Sequence, residues 1–196
     1  MEQYIEILGT IVGLVYLWQE YHASIYLWIT SIIMPAIYLY IYYNAGLYAD
    51  FGINIYYLVI ALYGWLAWRY RFSFTKRSGR NEDELSISHI SQNTALRLAL
   101  IFLAAWAIIS YILINYTNST VPFSDAFTTA LSIVGMYMLA RKYLEQWWVW
   151  LVVDIASGAL YIYKELFFTA ALYTLYAIIA IFGYRKWKRL MNYEKH

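Results

Sequence analysis

Apolar residues run along this chain in blocks about twenty residues long, each closed by a short polar or turn-forming cluster. Seven blocks are predicted as helices, at about 3–19, 24–43, 49–69, 95–114, 122–141, 146–163 and 167–185. The breaks are plain: Gln19-Glu20-Tyr21-His22, Asn44-Ala45-Gly46 and Asn115-Tyr116-Thr117-Asn118-Ser119-Thr120. The longest gap, 69–97, holds a polar run at 76–93 and reads as a loop. Blocks of this length match the hydrocarbon thickness of a bilayer, and lipid offers no partner to a free backbone N–H, so each crossing must bond internally as a helix. Strands of a barrel would be shorter and would alternate.

Composition supports this reading. The chain is 63% hydrophobic, 21% aromatic and 13% charged, against about 25% charged in a soluble domain. No Cys is present, which excludes a disulfide framework, a thiolate metal site and a Cys nucleophile. The opening Met1-Glu2-Gln3 lacks the basic region of a cleavable signal, so the first span is read as retained. A membrane-embedded enzyme or a receptor is the alternative class. The histidines, His22, His89 and His196, lie in loops or the tail, with no His and carboxylate cluster of metal-ligand spacing. No metal or cofactor is therefore expected, and no nucleic-acid partner. Span 7 has no Lys before its basic end for a retinal Schiff base, and no nucleotide-binding loop points to ATP-driven pumping.

Charge sets the orientation. With the N-terminus outside, thirteen of the fourteen Lys and Arg residues face the cytoplasm, from Arg69, Arg71, Lys76, Arg77, Arg80 and Arg97 through Arg141 and Lys142 to the C-terminal cluster, leaving Lys164 outside.

Sliding the chain against itself by 119 residues pairs Thr10 with Thr129, Val15 with Val134, Trp28 with Trp147, Tyr42 with Tyr161, Leu47 with Leu166, Tyr57 with Tyr176, Gly64 with Gly183 and Trp68 with Trp187. Spans 1 to 3 thus match spans 5 to 7, and span 4 returns the chain to the starting side. The expected fold is an all-α membrane protein of seven spans in a 3+1+3 arrangement of parallel repeats. Its parts are a first repeat at 1–69, a cytoplasmic loop with linking helix 4 at 70–121, and a second repeat with a basic tail at 122–196. Parallel repeats occur in secondary transporters, with substrate held between the halves.

Within span 6, Asp154 lies about 13 Å from the start of the span, near mid-membrane. A carboxylate there normally faces a bundle interior or a cavity and has a role. Trp147, Trp150, Asp154, Gly158 and Tyr161 follow the 3 and 4 spacing of one helix face. Aromatic faces attract cations, so this face reads as a pocket for a flat organic cation. Trp148 reads as part of an interfacial belt. Tyr173 and Tyr176 in span 7 are candidates to reach the same cavity. Asp50, Asn54 and Tyr57 in span 3, and Asp125, Thr128, Thr129 and Ser132 in span 5, are weaker polar signals.

Nearly the whole chain resembles the PnuC family of bacterial vitamin transporters. The resemblance rests on Gly46-Leu47-Tyr48-Ala49-Asp50, Tyr63-Gly64-Trp65-x-x-Trp68, Asp125-Ala126-Phe127-Thr128-Thr129-Ala130 through Ala140-Arg141-Lys142, Trp147-x-x-Trp150, and Leu172-Tyr173 to Gly183-Tyr184-x-x-Trp187. It implies a fold like a full-length relative of the SWEET sugar transporters, a homotrimer in the bacterial inner membrane, and facilitated diffusion of a vitamin later trapped by phosphorylation. Riboside transporters of the family carry Gln and Asn where this chain has Met136 and Asp154. On that pattern the chain resembles the thiamine-transporting branch, PnuT, more closely than the nicotinamide riboside transporters. An alkaline phosphatase fused after Asn44 is expected to be active, since the second span ends outside; an inactive fusion would overturn the orientation.

Overall fold

The computed structural model describes residues 2–44, 48–70, 85–165 and 167–193. Among them are seven helices: α1 (Glu2–Tyr21), α2 (Tyr26–Asn44), α3 (Tyr48–Tyr70), α4 (Gln92–Tyr116), α5 (Pro122–Ala140), α6 (Gln146–Tyr163) and α7 (Phe167–Tyr193). The basic loop residues Arg71, Lys76, Arg77 and Arg80, and the pairing of Leu47 with Leu166, lie outside the described residues. The chain forms two compact units, Met1–Ser86 and Ile87–His196.

In the first unit α1 packs on α2 and α2 on α3; in the second, α4 packs on α5, α5 on α6 and α6 on α7. Much apolar surface is left outward. On α4, Leu96, Leu100, Leu103 and Ile108 are all more than half exposed, as is Ile155 on α6. Water does not tolerate so continuous an apolar face, whereas lipid does.

Helix limits follow local chemistry. Ser91 caps α4 by accepting the Thr94 N–H at 3.3 Å, and Pro122 starts α5, where no N–H is needed. The predicted loop is not free up to α4. Ile87 is buried, Ser88 N donates to Lys142 O at 3.1 Å, and Leu144 N donates to Ser88 O at 2.9 Å. This segment is docked on the α5–α6 turn because the turn leaves those backbone groups unpaired. α7 also runs past the predicted end at 185, to Tyr193. Gly183, Trp187 and Met191, four apart, continue one buried face while Arg185, Lys186, Lys188 and Arg189 flank it. The basic stretch is therefore helix rather than tail.

The offset of 119 recurs in local geometry. The turn after α1 has Ala23 at φ 50°, and the turn after α5 has Lys142 at φ 49°. Both are left-handed conformations unusual for residues with a Cβ. Matching hydrogen bonds hold them: Ala23 N to Glu20 O (3.0 Å) with Lys142 N to Leu139 O (2.9 Å), and Ser24 N to Gln19 O (2.9 Å) with Tyr143 N to Met138 O (3.0 Å).

One helix further on, Trp28 of α2 meets Trp68 of α3 edge to face, with centroids 5.5 Å apart and planes at 86°. Trp147 of α6 meets Trp187 of α7 at 5.7 Å and 87°. All four are buried. A Cβ added at Gly64 would stand 2.3 Å from the Trp28 ring, and one at Gly183 would stand 2.5 Å from the Trp147 ring. Each glycine is the seat of an indole.

Gly183→Ala and Gly64→Ala are each expected to lower stability by about 1–3 kcal/mol, the usual cost of overpacking. Gly52→Ala, where a Cβ meets nothing within 4 Å, should leave it unchanged. Thermal unfolding in detergent would compare the three; equal midpoints would show that the indoles can move aside.

Candidate functional site

The predicted site residues fall into three groups. Asp154, Gly158 and Tyr161 on α6 meet Tyr173 and Tyr176 on α7. Gly158 lets the helices approach: a Cβ there would lie 3.8 Å from the Tyr173 Cβ and 3.9 Å from the Ala170 carbonyl oxygen. The Tyr161 and Tyr173 rings are 5.2 Å apart, and those of Tyr173 and Tyr176 5.6 Å apart. Tyr161 and Tyr173 also share a hydrogen bond, and both α7 tyrosines lie close enough to Asp154 to feel its charge. One carboxylate is thus set beside a cluster of phenols.

Trp150, on the same side of α6, reaches α5 instead, its ring carbons 3.3 Å from where a Cβ on Gly135 would stand. Met136, the next residue on α5, is buried. Trp147, expected in the pocket, is instead held between Gly183 and Trp187, where Trp28 supplies the matching indole in the first unit. Its position follows from scaffold packing. Trp148 is half-exposed and lies 4.8 Å from Tyr184 on the outer face. Asn54 sits half-buried on α3 in the first unit, and the side chain of Asp50 lies outside those described.

The polar residues of α5 are used locally. Thr129 and Ser132 donate to carbonyls four residues back at 2.8 Å each, and Thr128 to the Asp125 carbonyl at 3.1 Å. Asp125 accepts from Lys164 at 3.1 Å and from Ser119 at 2.8 Å, tying the start of α5 to the end of α6. Glu145 accepts from His89 Nδ1 at 2.6 Å and from the Ile90 N–H at 3.0 Å, holding the docked segment in place.

Asp154 differs from both. It is 7% exposed and makes no hydrogen bond or ion pair with any described residue. A buried carboxylate without a partner is costly, so the arrangement is suited to a cation supplied from outside the chain.

Two residues of α6 escaped the sequence reading. Gln146 is completely buried with neither side-chain amide atom paired, and Ser157, 6% exposed, makes no hydrogen bond with a described residue. Gln146 stands at the head of its helix, where a polar residue passes for an interfacial one. Among the described residues no group of His, Asp and Glu could hold a metal ion.

Comparison with known proteins places residues 3–189 within a family model described as nicotinamide mononucleotide transporter. The nicotinamide riboside transporter PnuC of Escherichia coli (strain K12) is 23% identical over 209 residues, covering 94% of this chain and 84% of that protein. The riboflavin/roseoflavin transporter RibM of Streptomyces davaonensis is 26% identical over 188 residues, covering 93% of this chain and 83% of that one. Among solved structures, the crystal structure of the vitamin B3 transporter PnuC matches with a TM-score of 0.66 at 21% identity, over 93% of this chain and 80% of that chain. That last likeness is one of fold.

Proposed function

Because the chain belongs to the nicotinamide mononucleotide transporter family, whose model matches residues 3–189, we propose that it carries a flat, cationic vitamin across the bacterial inner membrane, with nicotinamide riboside as the first candidate. The observation that carries this reading is the unpaired, buried Asp154 beside Tyr161, Tyr173 and Tyr176. A pyridinium ring brings the positive charge the carboxylate lacks and a face for the phenols.

Thiamine, expected from Met136 and Asp154, also brings a cationic ring, but the relatives give it no support: they are named for nicotinamide riboside and for riboflavin. Riboflavin is uncharged and leaves the carboxylate uncompensated, so the charge argument favours the riboside.

In this reading the two three-helix repeats are the moving halves of a 3+1+3 transporter. The cation loses water against the aromatic groups, is neutralised by Asp154, and leaves when the halves rock to open the inner side. Transport is passive, oriented with the N-terminus outside, and uptake is completed by phosphorylation within the cell. The local equivalence of the turns after α1 and α5 supports the repeats, and the apolar outer faces of α4 and α6 support the membrane.

Calorimetric titration of the detergent-purified protein is expected to show binding of nicotinamide riboside, weaker or no binding of thiamine, and none of riboflavin. Asp154→Ala, which removes the carboxylate without installing the Asn of the family's riboside transporters, should fold and bind the riboside about tenfold more weakly or worse, the usual effect of losing one charged partner. Unchanged affinity would remove Asp154 from the site, and binding of thiamine or riboflavin alone would replace the cargo. In vesicles without a gradient, labelled riboside should equilibrate without being concentrated; accumulation driven by an imposed proton gradient would make the carrier ion-coupled.

A further inference from the structure

The unpaired groups of α6 are not scattered. At 3.6 residues per turn, Gln146, Trp150, Asp154, Ser157 and Tyr161 fall within an arc of about 80° of the helix, and Gln146 and Ser157 are about 16 Å apart along it. Among the described residues, both amide atoms of Gln146 and Nε1 of Trp150 are fully buried without a hydrogen-bond partner, and the carboxylate of Asp154 (7% exposed) and the hydroxyl of Ser157 (6% exposed) lie in line with them. Neighbouring helices behave otherwise. Ser132 on α5 and Thr174 on α7 each donate to the carbonyl four residues back, at 2.8 and 2.9 Å, which is how a hydroxyl is normally settled inside an apolar helix.

The first repeat acts as an internal control. At the positions matching Gln146, Trp150, Asp154 and Ser157 it has Leu27, Ser31, Pro35 and Tyr38. Leu27 is buried with no polar atom to satisfy, and Ser31 donates to the Leu27 carbonyl at 2.8 Å. The unpaired Nε1 of Trp147, by contrast, has a twin in Trp28 and so belongs to the indole seat common to both repeats. At the described positions the first repeat has Leu27 and Pro35 where α6 has Gln146 and Asp154, so these two polar groups are special to α6.

A fully buried polar group left without a bond, as the Gln146 amide is, carries a cost of several kcal/mol unless something else bonds it. We propose that this face of α6 is the polar wall of the route taken by the cargo, and that Gln146 is a second station on it, two helical turns from Asp154 toward the start of the helix, where its amide bonds the carboxamide or hydroxyl edge of the ligand. The proposal rests on the transport reading above and adds the direction and the residues of the path.

The absence of cysteine from the chain permits a direct test. Single variants Gln146→Cys, Ser157→Cys and, as a lipid-facing control, Ile155→Cys would be treated in membranes with a small, charged, thiol-specific methanethiosulfonate. Gln146→Cys and Ser157→Cys are expected to react at least tenfold faster than Ile155→Cys, and nicotinamide riboside should slow both reactions. Rates no faster than the control would overturn the proposal. So would fast reaction without protection in a protein that binds the riboside by calorimetry. Fast reaction in a protein that binds no riboside would retain the polar route and reject the cargo. Gln146→Leu, which copies Leu27 of the first repeat, should keep the fold and reduce riboside flux at least fivefold while equilibrium binding at Asp154 changes less than threefold; unchanged flux would remove Gln146 from the route.

Discussion

The seating of an indole on a glycine, used once in each repeat, is the contact on which this architecture depends. Between helices in lipid there is little hydrophobic drive, because the lipid tails are as apolar as the side chains; close packing across small residues takes its place. Gly64 and Gly183 provide the gap, Trp28 and Trp147 fill it, and Trp68 and Trp187 close the far side edge to face. Nothing larger than glycine fits under the ring. This fixes how the second helix of a repeat lies on the third. The bonded left-handed turn before each of these helices fixes how it leaves the first.

A scaffold repeated this closely makes the differences between the repeats informative. Where α5 offers Gly135 to Trp150, α1 offers Tyr16, which shares a hydrogen bond with Ser31. Large and small have changed places across the same contact, so both repeats fill it, but only the second does so with a ring whose N–H stays unpaired. The same holds along the face: Leu27 and Pro35 ask nothing of their surroundings, while Gln146 and Asp154 do. At these matched positions the packing is shared, and the polar groups of Gln146 and Asp154 have no counterpart. A groove between α5 and α6, about 430 Å³ in volume and lined by Phe127, Thr128, Ala156 and Leu160 among others, lies on a different side of α6 and takes no part in this row.

The sequence made the helices readable, and with them the offset at which local contacts recur, because both depend on spacing. Apolar runs of membrane length and a constant offset survive without knowledge of contacts, and Trp28, Gly64 and Trp68 met their partners on that basis alone. The role of Trp147 was not readable. Its spacing from Asp154 is right for a shared face, and only the contact with Gly183 shows that the ring is occupied with packing. Gln146 was missed for the opposite reason, since burial at the head of a helix is set by neighbours distant in sequence. The docking of residues 87–90 on the α5–α6 turn was equally hidden, because it uses backbone groups that every residue carries.

Three carboxylates of the second unit show why the charge at Asp154 is best understood as a place left for a ligand. Asp125 has Lys164 and Ser119; Glu145 has His89 and the Ile90 N–H. Both are more exposed than Asp154, and water could have served them in part. The chain thus supplies partners where solvation makes them least necessary and supplies none where burial makes one most necessary. A lysine or arginine facing Asp154 would settle the charge and, in the same step, remove the reason for a cation to enter. Phenols do neither: they stabilise a cation by their faces without neutralising the carboxylate. A site that must take up a cation and also release it is better served by that division, with the charge on one helix and the aromatic surface largely on the next, because the cation can leave without an internal ion pair having to break or re-form.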